Sequence, residues 1–385
     1  MIASAIVAYI IVGYPLLLAI LRIRSAPPVA KDPAHRPSVS LILAVHNGEE
    51  FIERKLASIA ALEYPHERLE VLVISDGSTD GTDAMVLAFP DPRVQLIRVE
   101  REGKAAALNA GLARATGEIL FFTDVRQPLD PAALAQLAAN FSDRSVGAVT
   151  GELRYGKPQL GEQTDLDLYW RYELWARRRH SAIDSSLNMT GCIYAMRRSL
   201  ASPIAPDTLA DDMTLPLGAC LRGHRVVFDA EAVAYDAPAP PGAEYARRMR
   251  TLAGLWQLIG RHPKLFTRAN RMRFHFVSHK AARLALPWAI LIVLAATFAL
   301  GPSGFRTYLL WSDAALLALA LVDFVVPPWL PLKRLTSPAR TFFVMNAAAL
   351  FSVQVFFRSP RNLWRPTQVK PVAVNPTREQ NPRPS

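Results

Sequence analysis

The sequence has few cysteines, and the two it has are poorly placed for their common structural uses. Cys192 and Cys220 lie 28 positions apart and form no C-x-x-C pair. Zinc sites need cysteines at short, regular spacing, and small secreted domains carry several cysteine pairs that form disulfides. The sequence therefore predicts neither a zinc site made of cysteines nor a disulfide framework.

Two signatures of nucleotide-binding enzymes are also missing. No G-x-G-x-x-G motif follows the first apolar run of the middle region, SVSLILAV at 38–45. Gly103-Lys104 lacks the upstream glycine and the downstream Ser or Thr that a P-loop needs to hold phosphates and Mg²⁺. These absences argue against a dinucleotide-dependent dehydrogenase and against a P-loop enzyme.

Acidic residues are outnumbered, but only in the terminal regions. The 385 residues are 51% hydrophobic, with 44 Lys+Arg against 33 Asp+Glu and a net charge of +11. A basic, apolar chain suggests either a nucleic-acid binder or a membrane protein with basic flanks. Residues 1–37 carry a net charge of +3, residues 38–260 carry −6, and the remaining positive charge follows residue 260. This distribution favours a membrane protein and predicts no nucleic-acid partner.

The first apolar run is long enough to cross a bilayer. Residues 1–21 carry no charge, and about 20 apolar residues span the hydrocarbon core. No basic segment precedes the run, so we expect residues 1–24 to form an uncleaved anchor instead of a signal peptide. Arg22, Arg24 and Lys31 follow it, which places the next segment in the cytoplasm by the positive-inside rule.

Three further apolar runs lie near the other end of the chain. They are Leu284–Leu300, Tyr308–Leu330 and Thr341–Phe357, and together they make 284–357 a region of transmembrane or interfacial helices. The alternative is that these runs are buried helices of a soluble domain. Basic residues flank them, in a juxtamembrane segment at 261–283 and a Pro-rich tail at 358–385.

The topology of these runs is ambiguous. Asp313 and Asp323 interrupt the middle run, so it is either short or packed inward, and the basic stretch Lys333–Arg340 suits a cytoplasmic loop. The last run has about 17 residues, which is at the short end for a span. A basic tail after it conflicts with a C-terminus outside the cell, so this run either spans or lies at the interface.

Residues 38–150 alternate between strand and helix patterns. Apolar, β-branched runs at 38–45, 69–75, 94–99 and 118–124 are separated by amphipathic stretches, which predicts an α/β domain with a mostly parallel sheet. Ligands of such sheets bind outside the carboxyl ends of the strands. Those ends carry Asn47, Asp76 and Asp124, which we therefore predict to meet at one site.

Six short motifs then occur in an order that resembles the family 2 inverting glycosyltransferases. They are S-D-G-S-T-D-G-T (75–82), G-K-A-A-A-L-N-A-G (103–111), F-T-D (122–124), T-G-C-I-Y-A-M-R-R (190–198), A-D-D (210–212) and R-R-M-R-T-L-A-G (247–254). The stretch N-L-W-R-P-T at 362–367 is similar to the end of membrane-bound members. The resemblance implies a cytoplasmic GT-A domain over 38–260, held by terminal transmembrane helices in a bacterial inner membrane.

The resemblance also implies which residues bind the donor, a nucleotide sugar that we expect to be UDP-linked. Asp76 would contact the nucleoside, with help from Asn47 and Glu49. Lys104 would lie near the diphosphate at a helix N-terminus. Plain turn chemistry at Asp76 and a solvated side chain at Lys104 are the simpler alternatives.

The Q-x-x-R-W region of the family corresponds to 247–251 here. Arg247 stands in place of the glutamine, Arg250 keeps the arginine, and Thr251 replaces the tryptophan. Arg247 and Arg250 would contact the donor diphosphate. A basic amphipathic helix at the membrane surface is the alternative.

The family's D-x-D motif, which binds Mg²⁺ or Mn²⁺ against the diphosphate, is altered here. It reads Asp124-Val125-Arg126, so an arginine replaces the second aspartate. Either Asp124 holds the ion with the phosphates as further ligands, or Arg126 itself neutralises the diphosphate. A fold that has lost its activity is the third possibility.

Four residues are predicted to lie on the acceptor side, the first three from the resemblance and Trp170 from its aromatic stretch. Asp212 would be the base that deprotonates the acceptor hydroxyl, supported by Asp211, although adjacent carboxylates also suit a helix N-terminus. Gly191 would lie near the acceptor. Trp170, in an aromatic stretch that also suits a plain core helix, would lie at the acceptor mouth.

Together these motifs predict an enzyme that transfers a hexosyl or N-acetylhexosaminyl group to a membrane-proximal polysaccharide or lipid. Thr251 in place of tryptophan argues against a processive synthase. The alternative function is a non-catalytic membrane scaffold that binds a nucleotide sugar at a degenerate metal site.

Overall fold

The computed structural model describes residues 1–20, 26–155, 166–237, 241–327 and 329–359. The motif at 362–367 and nearly all of the predicted tail lie outside these residues.

Within the described residues, a seven-stranded sheet forms the centre of the middle region of the chain. Its order is β3-β2-β1-β4-β6-β5-β7. The strands are β1 (Val39–Val45), β2 (Leu69–Asp76), β3 (Val94–Val99), β4 (Ile119–Thr123), β5 (Val146–Tyr155), β6 (Tyr194–Arg197) and β7 (Arg225–Asp236). β1 pairs in parallel with β2 and β4, and β2 pairs in parallel with β3. The four predicted strands and their parallel arrangement are confirmed.

Strands β5 to β7 were not predicted from the sequence. β6 runs antiparallel to both β4 and β5, whereas β5 and β7 pair in parallel. β6 has only four residues and lies inside the motif at 190–198, whose glycine and polar residues obscure the strand pattern. The reversed strand β6 is what makes the sheet mostly, and not fully, parallel.

The helices pack on both faces of the sheet and continue beyond it. They are α1 (Ile2–Ala8), α2 (Tyr14–Ile20), α3 (Glu49–Ala60), α4 (Thr82–Ala88), α5 (Lys104–Arg114), α6 (Ala133–Ala139), α7 (Leu166–Ile183), α8 (Asp211–Leu221), α9 (Pro241–Arg261), α10 (Arg273–His275), α11 (Ala282–Ala299), α12 (Gly304–Val322) and α13 (Lys333–Phe351). A π-helical turn joins α1 to α2 and another joins α10 to α11, and a 3₁₀ turn, Ser352–Phe356, follows α13.

Side chains of β1 alternate between the two faces, as the period of a strand requires. Leu41 and Leu43 pack with α3 and α6 on one face, while Ile42 packs with α5 and α8 on the other. With both faces covered by helices, the sheet directs its ligand-binding groups to the carboxyl ends of its strands.

Among the residues that the structure describes, four helical stretches are long and apolar enough to cross a membrane. They are Ile2–Ile20, Arg273–Ala299, Gly304–Val322 and Lys333–Phe356. Large apolar side chains on them are exposed, among them Ile292, Trp311 and Leu321. Exposed apolar surface of this extent is unstable in water and is typical of a membrane-facing surface.

The prediction of a loop at Lys333–Arg340 is wrong, because these residues form the first turns of α13. The side of the membrane on which they lie stays a prediction. Asp323 explains the difference. Its carboxylate lies 3.0 Å from the Lys333 ammonium and 3.0 Å from the Arg340 guanidinium, and it accepts a hydrogen bond from Thr336 at 2.6 Å. The basic residues therefore bind the end of α12 and do not form an open turn.

Candidate active site

Asp76 ends β2 and is buried. Its carboxylate accepts hydrogen bonds from the backbone N–H groups of Glu102 (2.9 Å) and Gly103 (3.0 Å), and it pairs with the Arg101 guanidinium. Gly103 has φ +105°, a conformation that favours glycine, and it precedes α5. Asp76 thus fixes the start of α5, and its predicted contact with a nucleoside stays a prediction.

Asn47 and Glu49 hold the loop that follows β2. Asn47 Oδ1 accepts the Thr79 N–H at 2.8 Å, and Glu49 Oε2 accepts the Gly81 N–H at 3.0 Å. Both residues lie at the carboxyl end of the sheet, as the sequence predicted. Their side chains join two neighbouring loops there through these hydrogen bonds. Their contact with the donor stays a prediction.

Lys104 is the first residue of α5 and connects two motifs. Its ammonium lies 2.9 Å from Asp124 Oδ1 and 3.2 Å from Asp211 Oδ2. Burial alone lowers the pKa of Lys104, but the attraction of these carboxylates outweighs burial and raises it. The lysine therefore stays protonated, and carboxylates from two distant parts of the sequence converge on it.

Asp212 lies beside this cluster, in the first turn of α8. Burial and the neighbouring charge of Asp211 raise the pKa of Asp212 to about 7, although Lys104 acts in the opposite direction. A carboxylate with a pKa near neutrality is well suited to accept a proton from a hydroxyl group. Gly191 is close by, since a Cβ atom built on it would lie 3.4 Å from Asp212 Oδ2.

A glycine brings α9 against the N-terminus of α8. A Cβ atom on Gly254 would lie 2.6 Å from the Cβ of Ala210, so only glycine permits this approach. Arg250 lies about one turn earlier on α9. Burial lowers the pKa of Arg250, and Asp124 and Asp211 act against that change. Arg250 thus faces the carboxylates of the cluster.

Arg247 lies three residues before Arg250 on the same helix. Its charge acts on Arg250 and lowers the pKa of that guanidinium further. The two arginines are therefore neighbours at the edge of the carboxylate cluster. A contact of either with a diphosphate stays a prediction.

Arg126, the substitute for the second aspartate of the motif, pairs with the end of β7. Its guanidinium lies 2.7 Å from Asp236 Oδ2, and the Gln127 amide donates to the same oxygen at 2.8 Å. Asp236 is almost fully buried, so this pair is an internal one. A role of Arg126 in binding the diphosphate would require the guanidinium to leave this partner, and it stays a prediction.

The residues around Asp124 fit a cation that arrives with phosphates. The Asp124 side chain is 36% exposed. The carboxylates of Asp124 and Asp211 already share one cation, the Lys104 ammonium. Within the described residues, no group of three or more His, Cys, Asp or Glu side chains is arranged to hold a metal ion alone. One carboxylate with phosphate oxygens is a usual ligand set for Mg²⁺ or Mn²⁺, which would neutralise charge on a leaving diphosphate.

Trp170 lies behind the turn that contains Gly191. Its ring packs edge-on against Tyr155, with centroids 5.8 Å apart, and the Arg177 guanidinium lies 6.0 Å from the ring centre. Arg177 donates a hydrogen bond to the Thr190 hydroxyl, directly before Gly191. Trp170 is thus connected to the Gly191 turn through Arg177, while acceptor contact stays a prediction.

Lys55 is a buried residue of the site that the sequence analysis missed. Its ammonium donates to Thr123 Oγ1 and to the Gln127 carbonyl, both at 2.6 Å, and burial lowers its pKa to about 7. These bonds fix the two ends of the segment that carries Asp124. The signal was available, because Lys55 falls on the apolar face of α3 between Ile52 and Ile59.

A second charged cluster, also missed, lies where the chain enters α11. Glu173 Oε1 lies 2.5 Å from the Arg283 guanidinium, and Glu173 Oε2 lies 3.7 Å from the Lys280 ammonium. Burial raises the pKa of Glu173, but the charges of these residues hold it well below its usual range. Its one signal in the sequence was the pair of basic residues before an apolar run.

These two cations and Asp212 line one cavity, which we name the membrane-side cavity. It is small, with a volume of about 50 Å³. Its walls are Asn188, Asp212, Met213, Thr251, Leu252, Leu255, Lys280 and Arg283. Asp212 therefore has the cluster of Lys104 and Asp124 on one side and this cavity on the other.

Known proteins share this architecture. The model of glycosyl transferase family 2 matches residues 40–204. The solved structure of the mannosyltransferase PcManGT from Pyrobaculum calidifontis, in complex with GDP-Man and Mn²⁺, is 30% identical with a TM-score of 0.71. The similarity covers 92% of this chain and 98% of that one. This chain belongs to glycosyltransferase family 2.

Two bacterial relatives of this glycosyltransferase agree with that assignment. The probable glycosyltransferase YdaM of Bacillus subtilis is 25% identical over 227 residues, which are 55% of this chain and 54% of YdaM. The poly-β-1,6-N-acetyl-D-glucosamine synthase of Staphylococcus aureus is 24% identical over 271 residues, 66% of this chain and 63% of the synthase. The glycosyltransferase thus spans only part of the length of these relatives, and their substrates are not assigned to it.

Proposed function

We propose that this glycosyltransferase is membrane-embedded and transfers a sugar from a nucleotide sugar to a membrane-proximal acceptor with inversion at the anomeric carbon. One observation carries the proposal. Asp212, whose pKa lies near neutrality, is placed between a charged cluster suited to a diphosphate and a cavity that borders the membrane helices. That is where a base must lie if donor and acceptor meet from opposite sides.

In the proposed reaction, an acceptor hydroxyl attacks the anomeric carbon while Asp212 takes the hydroxyl proton. The bond between the anomeric carbon and the diphosphate oxygen breaks, and the nucleoside diphosphate leaves with the electron pair. Lys104 and Arg250 stabilise the charge that develops on the diphosphate, since both are protonated and face the cluster. Asp124 would hold the divalent cation.

The nucleotide of the donor is the finer part of this proposal. The sequence led us to expect a UDP-linked sugar, whereas the solved relative PcManGT holds GDP-Man. We therefore propose a nucleoside diphosphate sugar as the donor class, and a donor screen must include both bases.

The catalytic domain is proposed to lie in the cytoplasm, between span Ile2–Ile20 and span Arg273–Ala299. The basic residues that follow the first span support this orientation. α11 and α12 are joined by a short turn at 300–303. If each crosses the membrane once, α12 ends on the cytoplasmic side where α11 began.

We further propose that α13 lies along the cytoplasmic interface and does not cross the bilayer. Its beginning is held to the end of α12 by the Asp323 cluster. Its last turns pack on α9, where Ala348 and Ala349 join Leu252 in one apolar cluster, and where Trp256 Nε1 donates to Ser352 Oγ at 3.1 Å. α9 belongs to the catalytic domain, so both ends of α13 are on its side of the membrane.

Interfacial placement of α13 also removes the conflict that the basic tail created. A C-terminus in the cytoplasm obeys the positive-inside rule. Reporter fusions after residue 385 test this topology. A C-terminal green fluorescent protein should be fluorescent and a C-terminal alkaline phosphatase inactive, and the reverse pattern would show that α13 spans.

A donor screen tests the function itself. Purified full-length protein in lipid nanodiscs is incubated with UDP- and GDP-linked sugars, with Mg²⁺ or Mn²⁺, and with membrane lipid. Release of nucleoside diphosphate is measured, and the product is analysed by mass spectrometry. A product with the anomeric configuration opposite to the donor is expected; retained configuration, or no turnover with any donor, would contradict the proposal.

A further inference from the structure

A buried lysine of α3 holds the segment that carries Asp124. Lys55 is 1% exposed, and its ammonium donates to Thr123 Oγ1 and to the Gln127 carbonyl, both at 2.6 Å. Thr123 directly precedes Asp124 and Gln127 follows it by three residues, so the two bonds hold both ends of one short segment. Both acceptors are neutral groups, and an amine that is buried against neutral acceptors is costly for folding. Stability alone is therefore a weak reason for a lysine at this position.

The Thr123 hydroxyl fixes the direction of the contact with Lys55. It donates its one hydrogen to the Cys192 carbonyl at 2.8 Å, so it presents a lone pair to the Lys55 ammonium. Cys192 directly follows Gly191, the glycine that lies close to Asp212. One chain of hydrogen bonds thus runs from the amine, through the hydroxyl, to the turn beside the proposed base.

Further contacts from α3 and from β7 hold the rest of the segment. Ser58, which lies three residues after Lys55 on α3, accepts the Leu129 N–H at 3.2 Å. The Gln127 amide donates to Asp236 at the end of β7 at 2.8 Å. The segment is therefore held by two elements of the fold, while the carboxylate that it carries is partly exposed.

The altered metal motif makes the position of this carboxylate more important. An arginine stands at position 126, where the motif of the family has a second aspartate, and its guanidinium pairs with Asp236. A cation that is held by one carboxylate and by phosphate oxygens has fewer protein ligands to define its place. The orientation of that one carboxylate then depends on the residues that hold its segment.

We propose that Lys55 is a positioning residue, which holds the Asp124 carboxylate in place for the divalent cation of the donor by binding Thr123 and the Gln127 carbonyl. This inference rests on the proposed function, because the cation is part of the donor site proposed there. Two N–H groups suffice for the two hydrogen bonds, so the role does not require the amine to be charged. Lys55 acts through its two acceptors and contacts neither the cation nor the donor.

The test measures cation binding directly and does not depend on turnover. Full-length protein in phosphatidylcholine nanodiscs is titrated with Mn²⁺ in the presence of UDP or of GDP. The electron paramagnetic resonance signal of free Mn²⁺ gives the dissociation constant. Lys55→Met removes both hydrogen bonds and keeps an unbranched side chain, and it should raise this constant by roughly 10–100-fold. An unchanged dissociation constant would overturn the inference.

A control variant in the same helix separates positioning from a general loss of stability. Ile59→Ala removes a buried apolar side chain of α3 and neither of the two hydrogen bonds. It should unfold at a lower temperature but bind Mn²⁺ as the wild type does. If Ile59→Ala weakened Mn²⁺ binding as much as Lys55→Met, the effect would be one of stability and the inference would fail.

A pair of variants at Thr123 tests the same contact from its other side. Thr123→Ser keeps the hydroxyl and should keep most of the Mn²⁺ affinity, whereas Thr123→Val removes the hydroxyl and should lower the affinity about tenfold. Equal affinities in the two variants would contradict the inference. This pair decides the question if Lys55→Met does not fold.

Binding by the wild-type protein separates the two possible failures. If the wild type binds Mn²⁺ with a nucleoside diphosphate and Lys55→Met binds it equally well, the inference fails and the proposed function stands. If the wild type binds no Mn²⁺ with either nucleotide, the donor site of the proposed function fails, and the inference fails with it.

Discussion

The two sides of Asp212 differ in the chemistry of their walls. On the donor side, the carboxylates of Asp124 and Asp211 join that of Asp212 and outnumber the cations Lys104 and Arg250. On the membrane side, Lys280 and Arg283 pair with Glu173 and lie beside an apolar wall that contains Leu252 and Leu255. The carboxylates of the donor side repel a diphosphate unless a cation accompanies it, whereas the membrane side combines paired charges with an apolar surface.

This difference gives each side a separate chemical requirement. The donor side is expected to need a divalent cation, and the membrane side is expected to bind the acceptor without one. Asp212 belongs to both, because it lines the membrane-side cavity while its pKa responds to Lys104 and Asp124. If the two sides are independent, a change on the donor side should leave acceptor binding unchanged, and the reverse should also hold.

Removal of the base should have the largest effect. Asp212→Asn is expected to lower kcat by roughly 10²–10⁴-fold with the donor still bound, because the amide cannot accept the acceptor proton. Turnover and donor binding are measured on the same preparation. Asp207→Asn is the control, since Asp207 pairs with Arg261 at the surface. Full turnover in Asp212→Asn would contradict the proposed role of Asp212 as the base.

The two sides of Asp212 differ in how far the sequence predicts their residues, because they are built from different kinds of contact. The donor side comes from strand ends and helix starts, which periodicity locates, so Asp76, Lys104 and Asp124 were found from the sequence. The buried amine of Lys55 was visible only as an anomaly on an apolar helix face. A lysine on an apolar helix face becomes informative when its hydrogen-bond acceptors are known.

The membrane side depends on contacts between distant segments. Glu173 and Arg283 are 110 positions apart, and no local pattern connects them. The partner of Arg126 is equally remote, since Asp236 ends a strand that the sequence analysis did not predict. Pairings of this kind are decided by tertiary packing, which motifs and periodicity do not encode.

Removal of divalent cations should affect only the donor side. With EDTA, kcat/KM for the donor is expected to fall by at least about 100-fold, because the carboxylate excess then repels the diphosphate. Binding of the acceptor, measured without donor, should be unchanged. Undiminished turnover in EDTA would mean that Lys104 and Arg250 alone neutralise the leaving group.

The pH dependence tests the coupling between Lys104 and Asp212. Since Asp212 must be ionised to act as a base, kcat/KM should rise with pH through about 7 and level off above it. Lys104 favours the ionised form, so Lys104→Gln should move this acid limb upward by about one pH unit. Lys264→Gln, a change of an exposed lysine, should leave the limb in place. A limb that stays near 7 in Lys104→Gln would show that the two groups do not interact.

The smallest expected effect concerns the loops behind the donor side. Asn47 has φ +49°, and its side chain accepts the Thr79 N–H. Asn47→Ala should lower the free energy of unfolding by about 2 kcal/mol, because it loses the hydrogen bond and places a Cβ without compensation in a left-handed conformation. Asn47→Gly loses only the hydrogen bond, so a loss of about 1 kcal/mol is expected. Denaturant midpoints of both variants measure the difference. Equal losses of stability in the two variants would mean that the left-handed backbone conformation does not disfavour alanine at position 47. If Asn47→Ala changed KM for the acceptor more than KM for the donor, the two sides of Asp212 would not be independent.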